Sequence, residues 1–335
     1  MRRILIGGSR SQQCIFGPRL RLRGFGRSRS VAGRWKYRYI TIGFLRTYCL
    51  LPSMSESLGI VIPAFRPSLE RLQSYVEALV AEINPDHIRI ELDDPTPITR
   101  QSCVEALEEG LLPDCVTVAT VSERRGKGAA LTAGFEALCE AVDVLAFADA
   151  DGSTPASSVS DIIERVRRGE THIATGSRRH PEATVATHQT FARRHLGDIF
   201  AWTVRRVLDT ELFDYQCGAK AFSAEVWQQI RPYLYEAGFA WDIEVIAVAA
   251  AFEYTIQEVP VHWDDRPGST VSPIRTSMRL ARALVAAHHR ANIIRERRLD
   301  RLLAMTRPTR PALVDRLTPT EVIDRRGTPD GVEVP

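Results

Sequence analysis

Between Leu58 and Ala148 short, mainly apolar runs alternate with longer amphipathic stretches, a pattern that few architectures accommodate. The spacing predicts strands over 58–62, 87–92, 116–121 and 142–148, and helices over about 68–82, 99–110 and 128–139. Strands that are apolar on both faces must be covered on both faces. The expected fold is therefore α/β, a Rossmann-like, mostly parallel sheet with helices on either side. Ligands of such sheets bind beyond the carboxyl ends of the strands. Pro63-Ala64-Phe65, Asp93-Asp94, Arg124 to Gly128 and Asp149-Ala150-Asp151 all follow predicted strands and should surround one crevice.

Charge divides the chain. Residues 1–53 hold 12 Lys or Arg and no Asp or Glu, whereas the remainder holds 32 basic and 41 acidic groups, a net of −9 behind an overall +3. An acidic body argues against a general nucleic-acid binder, which needs a basic face to displace counterions. Residues 1–53 are expected to be a basic, disordered extension, with Met54, just ahead of the first strand, as the true start; a basic tail or a weak membrane-surface anchor are the alternatives. Residues 54–300 are expected to form one catalytic domain, and residues 301–335, rich in Pro, Thr and charge, a polar tail with no core to join. The six cysteines show no close zinc or redox pair, which fits a reducing cytoplasm. No run approaches the roughly 20 apolar residues of a spanning helix, so any membrane contact is expected to be peripheral. Helical spacing recurs over about 191–208 and 275–298. The second segment sets Leu280, Leu284, Ala287, Ala291 and Ile294 among seven arginines and one acid, Glu296, which suits either a membrane interface or packing on the sheet.

Asp149 and Asp151 stand two apart after an apolar strand, so an extended chain turns both carboxylates to one side. Mg²⁺ and similar hard cations take one or two carboxylates plus phosphate oxygens, and the pair suits a metal–diphosphate complex; a turn rich in Asp, Gly and Ser is the plainer reading. Gly126-Lys127-Gly128 opens a helix whose free N–H groups could receive an anion, or is a simple Gly-rich helix start. Asp93-Asp94 could accept from a base or ribose, or be solvated turn acids. Within Trp241-Asp242-Ile243-Glu244 the acids could cap the following helix or face an acceptor or metal.

In this order, Ile60 to Ala64, Asp93-Asp94, Arg125 to Gly128, Asp149 to Gly152, Gly176-Ser177-Arg178, Gln216 to Phe222 and Trp241 to Glu244 resemble a family-2 glycosyltransferase. The last three groups are more similar to dolichyl-phosphate β-glucosyltransferases than to dolichyl-phosphate mannose synthases. The resemblance spans 58–298 and implies a glycosyltransferase-A fold. It also implies Pro63, Ala64, Asp93, Asp94, Gly126, Lys127, Asp149 and Gln216 at the nucleotide sugar, and Asp149 and Asp151 at Mg²⁺ or Mn²⁺. Asp151, Arg178, Lys220 and Asp242 become the implied catalytic residues, with Arg178, Lys220, Arg266 and Ser269 at an acceptor phosphate. Phe65-Arg66-Pro67 replaces the family's Tyr-Asn-Glu, Pro95-Thr96 replaces Gly-Ser, and Thr270 replaces a frequent basic residue for which Arg266 can substitute.

The implied reaction is inverting transfer of a single hexose, glucose favoured, from a nucleotide diphosphate sugar to dolichyl or another polyprenyl phosphate. It would serve protein glycosylation on the cytoplasmic face of a membrane. The Gln-x-x-Arg-Trp motif of processive synthases is missing, which favours single-sugar transfer. Another donor or a saccharide acceptor is the alternative within this class. A sugar-1-phosphate nucleotidyltransferase would begin with a Gly-rich loop where this chain has Pro63-Ala64-Phe65, and a non-catalytic binding module would not need Asp149 and Asp151.

Overall fold

The computed structural model describes residues 56–185, 202–208, 210–264, 273–296, 310–323 and 329–333. The chain divides into two units, Met1–Leu51 and Pro52–Pro335, and every described residue belongs to the second. Its first half runs β1 (Leu58–Phe65), α1 (Leu69–Ile83), β2 (His87–Asp93), α2 (Pro97–Glu108), β3 (Val116–Val121), α3 (Lys127–Leu138), β4 (Val144–Ala148) and α4 (Ala156–Arg167). These are the seven elements expected from the apolar pattern, followed by a fourth helix. Local chemistry accounts for the ends: Thr96 Oγ1 accepts the Thr99 N–H at 3.1 Å and Pro97 sits in the first turn of α2, a capping pair that starts a helix.

β5 (Ile173–Ser177), β6 (Thr184–Val185), α5 (202–208), β7 (Ala219–Ser223), α6 (Ala224–Ile230), α7 (Trp241–Ala251), β8 (Ile256–Pro260), β9 (His262–Trp263), α8 (Pro273–Ile294), β10 (Thr320–Ile323) and β11 (Pro329–Glu333) complete the described chain. The main sheet has the order β11-β10-β3-β2-β1-β4-β7-β5-β8. β3, β2, β1 and β4 are mutually parallel, whereas β7 and β10 run antiparallel to their neighbours. Successive strands step one way from β1 to β3 and then jump to its other side at β4, so the switch point, where such sheets bind ligands, lies between β1 and β4. The mostly parallel, doubly covered sheet is the glycosyltransferase-A arrangement expected from the sequence.

Alternation along β1 builds both layers. Leu58, Ile60 and Ile62 pack with α1 and α4, while Val61 points to the other face with α3, α6 and α7. That second core is aromatic: Phe135 meets the Trp227 ring edge-on at 4.9 Å and Phe222 at 5.5 Å, and Trp241 stands 5.9 Å from Phe147. Trp241 also donates its indole N–H to Thr132 Oγ1 at 3.2 Å, which fixes the first turn of α7 against α3.

One reading left open narrows, and one expectation changes. The apolar stripe of α8 is not offered to a membrane: Leu280, Leu284, Ala287 and Ala291 are buried against α5 and α7. No described helix is long and apolar enough to cross a membrane. The expectation of a C-terminal tail with no core to join fails over 310–323, where Leu313 is buried, its N–H donates to Leu234 O at 2.7 Å, and β10 pairs with β3. Covering the edge of β3 satisfies backbone groups that would otherwise be a template for aggregation. Of the helix expected over 191–208, the described portion, α5, is helical, and residues 191–201 lie outside the described residues.

Candidate active site

β4 ends at Ala148 and delivers Asp149 and Asp151 to the switch-point crevice, the first partly exposed and the second exposed. Asp151 Oδ1 accepts the Ser153 N–H at 2.9 Å, which turns the chain towards α4. The first residue of α3, Lys127, reaches across: its Nζ lies 2.8 Å from Asp149 Oδ1 and 3.6 Å from Asp242 Oδ2, over the Phe147 ring. Asp242, in the first turn of α7, accepts from Lys220 Nζ at 2.6 Å through its other oxygen, and Lys220 also donates to Cys217 O at 2.9 Å. Lys220, Asp242, Lys127 and Asp149 thus form a row of alternating charge that runs from the core to the crevice. Burial pushes the Asp149 carboxyl above its ordinary value, Lys127 opposes this, and Asp151 and Asp242 add to the rise. For Lys127 burial alone would lower the ammonium, but Asp149 and Asp242 outweigh it and the group lies above its usual value.

Glycine makes the α3 end of the crevice possible. Gly126 has φ +101°, and a Cβ at Gly128 would lie 2.6 Å from Glu236 O and 2.6 Å from Trp241 Cβ. The 235–238 segment pressed against these glycines is itself held by Glu244, buried in α7, which accepts the N–H groups of Tyr235 and Glu236 at 2.8 and 2.7 Å and pairs with Arg290 of α8. Glu244 is therefore a structural anchor for the loop and does not face the crevice as a ligand.

Several expected contacts are made elsewhere. Lys220 is 1% exposed and donates to Asp242 and Cys217 O in the interior, so it does not present an ammonium to an acceptor phosphate. Arg178, at the end of β5, grips Asp214 through Nε at 2.6 Å and a terminal nitrogen at 3.0 Å, and also donates to Gln216 O. The Gln216 side chain donates to Phe239 O at 3.3 Å. Arg266 and Ser269 lie outside the described residues. On the nucleotide side Pro63 is half-buried and Ala64 buried at the end of β1. Asp93 turns inward, accepting the N–H groups of Arg125 and Gly126 and the Arg125 Nε at 2.8–3.0 Å, while Asp94 pairs with Arg66 at 2.9 Å. Arg125 further reaches Glu91, and Glu91 reaches Arg89, in a buried ladder beneath the Gly126 loop. The β2 pattern Arg89-x-Glu91-x-Asp93 carried that signal, since alternate residues share a face.

Asp214 and Glu258 had no sequence signal of their own. Glu258 accepts from the N–H groups of Phe213 and Asp214, and Gly218 O accepts the Asp149 N–H at 2.9 Å, so the 213–218 segment is fastened at both ends. Burial alone would raise the Asp214 carboxyl, but the Arg178 guanidinium holds it down at about 2, against an ordinary 3.8. A depressed carboxyl stabilises the fold above its unfolded value and loses that contribution as pH falls through its folded value. Asp214→Asn is expected to lower the unfolding free energy by about 2 kcal/mol near neutral pH. In urea titrations its gap to wild type should narrow from about pH 4 downward; a gap that is unchanged to about pH 2 would show that the ion pair contributes nothing.

The sequence profile of Glycosyl transferase family 2 matches residues 59–231, a span that includes Lys127, Asp149, Asp151, Arg178 and Lys220. Dolichyl-phosphate beta-glucosyltransferase of Dictyostelium discoideum is 26% identical over 245 residues, 70% of this chain and 74% of that protein. The protein of the same name from Saccharomyces cerevisiae is 27% identical over 264 residues, 70% of this chain and 77% of its own. A mycobacterial crystal structure superposes with a TM-score of 0.51 at 16% identity over 69% of this chain and 74% of that one, a likeness of fold alone. A profile match across more than half of the residues, with the strand-end carboxylates and Lys127 gathered in its crevice, makes this chain a glycosyltransferase that belongs to glycosyl transferase family 2.

Proposed function

We propose that the protein transfers one hexose, glucose favoured, from a nucleotide diphosphate sugar to dolichyl or another polyprenyl phosphate, with inversion, at the cytoplasmic face of a membrane and for protein glycosylation. The observation that carries the reading is the carboxylate pair, Asp149 and Asp151, opening into the switch-point crevice beside Lys127. The names of the two relatives support the acceptor and the sugar.

The donor set fits Mg²⁺ or Mn²⁺. It offers two carboxylates, one of them exposed, and among the described residues no cluster of three or more His, Cys, Asp or Glu competes as a closed cage. Such cations complete their shells with phosphate oxygens and water. When bound by Asp149 and Asp151, the metal would neutralise charge on the departing diphosphate.

The chain's own residues divide the remaining work. Lys127 supplies a cation to the diphosphate; the N–H groups of Gly126 and Ala129 at the start of α3 are taken by Asp93 and Ala237 O and do not share this role. Pro63 and Ala64 wall the nucleotide side, and Asp93 acts through the loop it holds. Arg178, Asp214 and Gln216 hold the 213–218 segment over Asp149. Arg266 and Ser269 are proposed for the acceptor phosphate. A phosphate monoester is already ionised near neutral pH, so no general base is required. The catalytic unit is proposed to extend beyond residue 300 to 323, because β10 closes the sheet next to β3.

The test is radiolabelled transfer to dolichyl phosphate in membranes from UDP-glucose, UDP-GlcNAc or GDP-mannose with Mg²⁺ or Mn²⁺. Metal-dependent labelling from UDP-glucose is the expected result. Labelling from another donor changes the sugar, and no lipid product from any donor overturns the acceptor.

A further inference from the structure

We propose that Lys127 and a divalent cation are alternative occupants of Asp149, and that Asp242 is the fixed carboxylate that receives the ammonium when the cation binds. The inference rests on the metal role given to Asp149 and Asp151. Lys127 Nζ touches Asp149 Oδ1 at 2.8 Å, and an ammonium so placed repels a second cation at that oxygen. The other Asp149 oxygen, Oδ2, lies against Gly218, 2.2 Å from where a Cβ would stand. Cation binding at Asp149 therefore favours departure of the ammonium from Oδ1.

A destination is already built. Asp242 Oδ2 is 3.6 Å from the same Nζ. Its carboxylate is buried and cannot follow the ammonium outward, because Lys220 holds the opposite oxygen at 2.6 Å and is itself tied to Cys217 O. The arrangement is asymmetric: Asp149 is partly exposed and Asp242 is not, so a cation arriving from solvent reaches Asp149 first. Lys220 is thus a positioning residue that acts through Asp242, which explains a fully buried lysine next to an active crevice.

Two measurements test this, neither of which reads turnover. In Mn²⁺ titrations followed by electron paramagnetic resonance without nucleotide, Lys127→Met should bind Mn²⁺ roughly tenfold more tightly than wild type, because the competing cation is gone. If the wild type binds Mn²⁺ with UDP but Lys127→Met binds it no more tightly without UDP, the exchange is overturned while the metal reading stands. If no form binds Mn²⁺ with or without UDP, both are overturned. The wild type gives an independent readout that does not depend on the variant folding. The chain has three lysines, Lys36, Lys127 and Lys220. With ¹³Cε-lysine labelling, Mg²⁺ in the presence of UDP should shift the Lys127 resonance, assigned with Lys127→Arg. A Lys127 resonance unmoved at saturating Mg²⁺ overturns the proposal.

Discussion

Asp151→Asn is expected to reduce kcat/KM for sugar transfer by about 10³-fold while leaving the melting temperature nearly unchanged. Asparagine keeps an oxygen for the Ser153 N–H, so the turn into α4 survives. The side chain is exposed, which removes packing as a source of loss. What disappears is one negative charge beside Asp149, at the point where a diphosphate leaving group would be neutralised. Removing one preorganised electrostatic contact of this kind typically costs between two and three orders of magnitude, and loss of half of a carboxylate pair belongs at the upper end. The check is the transfer rate as a function of Mg²⁺ or Mn²⁺ concentration, beside thermal unfolding of both proteins. Activity within about tenfold of wild type at all metal concentrations would remove the carboxylate pair from the chemistry.

The architecture was legible because its signal is local. Apolar runs of five to eight residues interrupted by helical periodicity mark β1 to β4 without knowledge of any long-range contact, and the strand ends follow from the elements. Asp149 and Asp151 were legible for the same reason. The partners of the cations were not. Lys220 stands between alanines in a short strand, and nothing local shows that Asp242, 22 positions later, folds against it. Arg178 and Asp214 are 36 positions apart and meet only when β5 and the segment before β7 are adjacent. Long polar side chains therefore carried a recognisable motif position but not its geometry. The 310–323 segment failed differently: its four-residue strand is too short for a periodic signal, and Leu313 and Ile323 are isolated apolar residues in polar surroundings.

Gly218→Ala should be the most informative substitution outside the carboxylates, with a loss of about 10²-fold in kcat/KM and only a small loss of stability. A Cβ at this position would stand 2.2 Å from Asp149 Oδ2 and 2.7 Å from its Cγ. The backbones cannot separate to relieve the overlap, because the Asp149 N–H donates to Gly218 O at 2.9 Å directly beyond the paired Ala148 and Ala219. Asp149 must instead swing its carboxylate. Rotating one partly exposed side chain costs little folding energy, since the group moves towards water and no core contact is broken. The consequence for the crevice is larger: the carboxylate leaves its place beside Lys127, which loses its nearest counter-charge. A displacement of about 1 Å in a positioned group is enough for a hundredfold effect. Measured together, Mn²⁺ affinity and kcat/KM should fall in parallel while thermal unfolding stays close to wild type. If kcat/KM is retained, Asp149 does not depend on Gly218 for its orientation. If instead the protein unfolds at a much lower temperature, the backbone has moved in place of the side chain, and the glycine is required by the sheet rather than by the site.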